Sequence, residues 1–170
     1  MNSNNAGLAT RDQTVDSSSG TSYVRRFSQE GSRYRWEGVD LKKYKEEGTH
    51  FKSVTRQNLF SDESLQPCEL RYFEIEPGGH STFEKHVHTH AIIILRGRGR
   101  AIVGDSVDQV QAFDLVEVPS RTWHQLQAAD DEALGFVCQV PCERDRPIRP
   151  TDAERQALSE HPTLGGIIRL

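Results

Sequence analysis

The tightest constraint on the fold is the texture between Phe51 and Val140, where short apolar or β-branched runs alternate with period two and are broken by Gly, Pro and Asp. Runs this short do not build ordinary helices, and alternation sends every second side chain to one face of a strand. The pattern predicts strands over 51–60, 70–75, 82–87, 91–95, 100–103, 107–112, 115–118, 124–128 and 133–140. So many short, closely spaced strands imply an all-β barrel or sandwich rather than a βαβ sheet.

The flanks read differently. Residues 1–21 are rich in Ser, Asn, Asp and Gly without hydrophobic periodicity, and are expected to form a disordered tail. Residues 22–50 mix aromatics and charges (Tyr23, Tyr34, Trp36, Val39, Tyr44) and are expected to pack as an extension on a barrel spanning 51–142. In 143–170, Thr151-Asp-Ala-Glu154 has capping-box spacing, which predicts a short helix running to about His161.

Lysine and arginine total 21 against 25 acidic residues, a net charge of -4. That balance argues against nucleic acid as a partner. No apolar run approaches the roughly 18 residues of a membrane span, and the first twenty residues are polar, so no membrane is expected and a soluble, cytoplasmic protein is. Cys68, Cys138 and Cys142 make an odd set without C-x-x-C pairing, which suits a reducing compartment.

Histidines 80, 86, 88 and 90 crowd into Pro77-Gly-Gly-His-Ser-Thr-Phe-Glu-Lys-His-Val-His-Thr-His90. On a straight strand Glu84, His86, His88 and His90 would share a face but spread over roughly 20 Å, too far for one ion with bonds of about 2 Å. A turn through Val87, His88 and Thr89 removes the difficulty. It leaves Glu84 and His86 on one side, sets His90 on the next strand and places His88 at the turn, facing solvent or the mouth, as the weaker ligand candidate.

These residues resemble the cupins, whose first motif is G-x5-H-x-H-x3,4-E-x6-G. Gly78, Glu84, His86, His90 and Gly97 keep its spacing, with glutamate at the first histidine position and histidine at the glutamate position. The second motif, G-x5-P-x-G-x2-H-x3-N, is matched at Pro119 and His124, while Phe113, Arg121 and Ala128 replace its glycines and asparagine. The resemblance runs from about Leu70 to Val140. It implies a cupin-type β-barrel, or jelly roll, holding one divalent transition metal on Glu84, His86, His90 and His124. A second register, counted to Gly99, pairs His86 with His88, puts Ile92 at the carboxylate position and gives a three-histidine site with His124.

A lone histidine is usually a satisfied polar residue, the reading taken for His50, His80 and His161. Several buried polar side chains together need partners, at on the order of 1–3 kcal/mol each if left without, and a shared cation serves them all. Ligand type does not choose among Fe2+, placed first, and Mn2+, Ni2+, Cu2+ or Zn2+. The resemblance implies a metal-dependent enzyme on a small organic substrate, with a non-haem iron(II) dioxygenase as the leading expectation. The alternatives are a redox-neutral lyase, isomerase or decarboxylase, with Glu84 or His88 moving the proton, and a non-catalytic small-molecule-binding cupin. Ile92, Ile94, Trp123, Leu126 and Cys138 are the expected pocket walls, Cys138 being read first as a core residue. Of Arg71, Arg96, Arg98, Arg100 and Arg121, most are expected on solvated faces, with one at the mouth available to an anionic substrate. Homodimerisation through an outer sheet face is a further implication of the resemblance.

Overall fold

The computed structural model describes residues 25–31, 33–43, 50–60 and 67–170. The expected tail at 1–21, like Tyr23 and Tyr44, lies outside them. The described strands are β1 (Phe27–Glu30), β2 (Arg33–Trp36), β3 (Lys42–Lys43), β4 (Lys52–Phe60), β5 (Cys68–His80), β6 (His90–Arg96), β7 (Arg98–Val103), β8 (Ser106–Gln111), β9 (Leu115–Val118), β10 (His124–Ala128) and β11 (Leu134–Pro141), followed by α1 (Asp152–Ser159). All but β1 and β2 belong to one antiparallel sheet, ordered β8-β7-β10-β5-β11-β6-β9, with β4 added on β5 and β3 on β4. The sheet curls into the half-barrel of an all-β, cupin-type fold, with one short C-terminal helix.

The curl starts in β5. Its first half pairs with β4 and β11, and its last residue, His80, pairs with Gln127 of β10. Between them Pro77-Gly78-Gly79, which reads in sequence as the end of a strand, bends the strand and lets it continue. Gly78 has φ +66, and a Cβ on Gly79 would stand 2.5 Å from the Lys52 carbonyl oxygen. Glycine at a sheet corner permits this close approach.

Alternation then fills the interior. Val54, Ile75 and Leu134 face one another across β4, β5 and β11, and Phe73 and Phe136 form the next row with rings stacked at 5.3 Å. Ile92, Ile94, Cys138 and Val140 complete this core.

Two flanking segments cover the outer faces. The β1–β2 hairpin brings Tyr34 and Trp36 against Tyr72, with Val39 and Leu59. The buried Tyr72 hydroxyl donates to Glu74 at 2.7 Å, and burial together with that carboxylate raises its pKa well above the usual phenol range. The C-terminal segment lays Leu164 and Ile168 on Phe83 and Ile102. Gln125 and Gln127 donate their side-chain amides to the Arg169 and Ile167 carbonyls, each at 2.8 Å. Thr151 and Glu154 close the expected capping box on α1.

The strand expected over 82–87 does not form. Glu84 bridges to His124 on one side and Lys85 to Ile148 on the other, so neighbouring residues serve different partners and no continuous ladder can grow. Among the described residues no helix is long and apolar enough to cross a membrane.

Candidate metal centre

The irregular stretch before β6, bridged at single residues instead of forming a ladder, is what lets the histidines converge. The chain bends at Val87 and His88, where the ligand spacing demands a turn, and His90 enters β6 beside His86. His124 arrives as the first residue of β10, held by paired backbone hydrogen bonds with Glu84 at 3.0 and 3.2 Å. One ring nitrogen from each of His86, His90 and His124 falls within a group whose members all lie within 4.8 Å of one another.

The surroundings set the chemistry of these rings. Nδ1 of His86 lies 2.7 Å from the His88 carbonyl oxygen, and Nδ1 of His124 lies 3.0 Å from that of Thr122. A ring that donates Nδ1–H to a carbonyl keeps Nε2 as a bare lone pair, as metal-binding histidines do. Nε2 of His86 is buried with no hydrogen-bond partner among the described residues. Burial is the largest cause lowering the pKa of all three, to about 2 for His90 and about 4 for His124. Three neutral imidazoles with an orphaned, buried nitrogen fit a divalent cation.

Glu84 lines the same cavity, but its carboxylate stands outside the three-imidazole group. His88 departs from expectation: its side chain is 7% exposed, turned inward rather than to solvent. Its ring stacks on His86 with centroids 3.6 Å apart, and its Nε2 lies 3.4 Å from Nε2 of His90. The reason is Asp145, whose carboxylate meets His88 Nδ1 at 2.7 Å and accepts the backbone N–H of Val87 and of His88. These bonds hold the Asp145 carboxyl well below the usual range, the Val87 N–H contributing most. Sequence reasoning missed Asp145, which lies 57 residues beyond His88 with no local pattern around it.

The histidines open into a cavity of about 800 Å³, walled in part by Val54, Phe73, Ile92, Leu126, Phe136 and Cys138. Ile94 is fully buried in the core and is not part of this wall. Trp123 is on the other side of the sheet, stacked on Phe83 at 5.4 Å and covered by the Lys85 ammonium at 4.1 Å. Adjacent strand residues face opposite ways, so the neighbour of an inward His124 turns outward. Burial pushes the Cys138 thiol up, away from thiolate.

Among the arginines, Arg98, Arg100 and Arg121 are exposed as expected, and Arg96 stacks on Tyr34 and approaches Glu74 at 3.5 Å. Arg71 differs: it is 8% exposed and lines the cavity. Strand alternation with Phe73 and Ile75 is the signal that could have placed it there. His80 and His161 have local partners, the Ser81 carbonyl for one and the Thr163 and Leu164 N–H groups for the other. His50 lies in the cavity wall, outside the three-imidazole group.

Comparison with known proteins agrees with this architecture. The family model for the cupin domain matches residues 71–140. The chain is 57% identical over 128 residues to 1-methylthio-D-xylulose 5-phosphate methylsulfurylase of Rhodospirillum rubrum, covering 75% of this chain and 81% of that one. Among solved structures, a cupin-2 domain from Rhodospirillum rubrum superposes with a TM-score of 0.75 at 53% identity, over 79% of this chain and 90% of that one. A cupin 2 conserved barrel domain protein from Rhodopseudomonas palustris does so with a TM-score of 0.78 at 40% identity, over 86% and 99%. By sequence and by fold, the chain belongs to the cupin family.

Proposed function

We propose that this protein is a metal-dependent enzyme acting on a small phosphorylated ketose that carries a methylthio group, in a reaction that uses no dioxygen. The observation that carries the reading is the set of three converging imidazoles facing a cavity, in a chain 57% identical to a methylsulfurylase whose name gives 1-methylthio-D-xylulose 5-phosphate. That relative favours the alternative without dioxygen over the iron(II) dioxygenase expected first from the sequence.

A divalent cation on His86, His90 and His124 would supply Lewis-acid polarisation of a ketone oxygen. In a 1-methylthio ketose the C1–S bond stands next to the ketone carbon. If it breaks with the electron pair kept on C1, the charge spreads onto the ketone oxygen and C1 then takes a proton. The methylthio group, leaving without that pair, bonds to a soft nucleophile such as the thiol of a co-substrate, which gives up its own proton. Thioether ketose plus thiol thus gives deoxy ketose plus disulfide, with no external oxidant.

Glu84 and His88 are the groups positioned to hold and move the proton at C1. His88 is the better oriented, since Asp145 fixes its Nδ1 and leaves Nε2 toward His90. Ile92, Leu126 and Phe136 would keep bulk water from the reacting carbon.

The test is turnover of 1-methylthio-D-xylulose 5-phosphate with a thiol, followed by proton NMR under argon and in air. Equal conversion of the thioether S-methyl signal into a disulfide S-methyl signal, with gain of a C1 methyl signal, is expected in both atmospheres. Turnover only in air, with oxygen consumed, would return the protein to the dioxygenases. No turnover in either atmosphere would leave a binding module.

A further inference from the structure

We propose that Arg71, with Arg56 beside it, forms an anion subsite in the cavity wall that takes the phosphate of the substrate. The choice of a phosphate monoester rests on the function proposed above, whereas the subsite itself rests on the following geometry.

Arg56 pairs with Phe73 across β4 and β5, and Arg71 precedes Phe73 by two residues. Both arginines therefore stand on the inner sheet face as diagonal neighbours, close enough for long side chains to meet one ligand. Both line the cavity that holds the histidines.

Arg71 is poorly served by the protein. Arginine is seldom buried unless paired, yet its Nε is buried without a hydrogen-bond partner among the described residues. The carboxylate nearest to Nε, that of Glu69, lies 4.0 Å away and is bonded to Arg144 at 2.8 Å. Among the described residues Nη2 reaches only the Cys138 sulfur, at 3.7 Å, a weak acceptor. The guanidinium carbon lies over the Phe73 ring, 5.2 Å from its centroid, which restrains the position of the fork. A planar, oriented fork with spare donors is the geometry that recognises phosphate oxygens.

Charge points the same way. Arg56, Arg71, Arg144, Arg146 and Arg149 line the cavity against two carboxylates, Glu84 and Asp145, in a chain whose net charge is -4. Asp145 is engaged by His88. A divalent cation at the histidines would add to this excess, and a dianionic ligand would balance it. Exposed Arg146 and Arg149 would draw such a ligand toward the mouth. A purely structural Arg71, tethered by Glu69, would need no anion.

The experiment is calorimetric titration of the metal-loaded full chain with inorganic phosphate, repeated on Arg71→Met, Arg71→Lys and His124→Ala. Phosphate affinity is expected to fall about tenfold or more in Arg71→Met, and to fall less in Arg71→Lys, which keeps the charge and loses the fork. His124→Ala should retain most of the phosphate affinity. Should Arg71→Met fail to fold, Arg71→Lys decides. Absence of phosphate binding in the unmodified chain, affinity unchanged in both Arg71 variants, or loss of binding in His124→Ala would overturn the subsite, the last because it would place the anion on the metal. Arg71-dependent binding without turnover of the methylthio sugar would support the subsite and overturn the substrate assignment alone. Turnover with Arg71-independent phosphate binding would do the reverse.

Discussion

Nε2 of His86 is the atom that argues most directly for a bound cation, because it is buried and unpartnered while Nδ1 is already committed to a carbonyl. The same environment makes a pH prediction. His90 and His124 ionise near about 2 and about 4 in the folded chain, against roughly 6.5 unfolded. Acid therefore favours the unfolded chain: their contribution to stability is full above about pH 6.5, declines as pH falls below it, and levels off only beneath the folded values. Thermal unfolding of metal-free protein should show Tm dropping between about pH 7 and pH 4, less steeply in His124→Gln; identical slopes would contradict the assignment. Asp145→Asn should lower turnover about 10–100-fold with Tm little changed, as measured by steady-state kinetics and melting, and wild-type turnover would remove Asp145 from a positioning role. His86 and His90 could be singled out because their spacing is local, and His124 through its resemblance to the second cupin motif, whereas the Glu84 carboxylate stands outside the group these three form. Asp145 could not be singled out, since only the folded chain brings it to His88, and Arg71 was hidden by treating arginine as a surface residue when its strand neighbours faced inward.

At the scale of elements, period-two alternation made most of the barrel strands readable, and the Thr151 capping box made α1 so. The exceptions have physical causes. Pro77-Gly78-Gly79 looks like a strand end, yet β5 runs on through it because the glycines allow a tight corner against β4. Residues 82–87 carry a strand pattern, but their backbone groups are divided between His124 and Ile148. The β1–β2 hairpin was illegible because its aromatics pack on Tyr72, far away in sequence. Gly97, in the β6–β7 turn, has φ +71, and a Cβ there would sit 1.8 Å from the Ala133 carbonyl oxygen. Gly97→Ala should therefore cost about 2–4 kcal/mol, read from chemical denaturation, and a loss under about 0.5 kcal/mol would show that the turn can shift freely.

At the scale of the whole molecule, a curled sheet carries the cavity and two flanking segments cover its outer faces. The C-terminal one backs β10, the strand that delivers His124, through Leu164, Ile168 and the Gln125 and Gln127 amides. Removing residues 162–170 would expose Phe83 and Ile102, so both Tm and metal affinity should fall, by melting and competitive chelation; unchanged metal affinity would mean that β10 holds its position alone. Metal-dependent chemistry in this cavity requires the three-imidazole centre, and elemental analysis of the purified chain beside His124→Ala tests that centre most directly. About one transition-metal ion per chain, lost in the variant while the fold persists, is the result expected. Metal retained at full stoichiometry in His124→Ala, or no metal in the unmodified chain even after reconstitution, would contradict it.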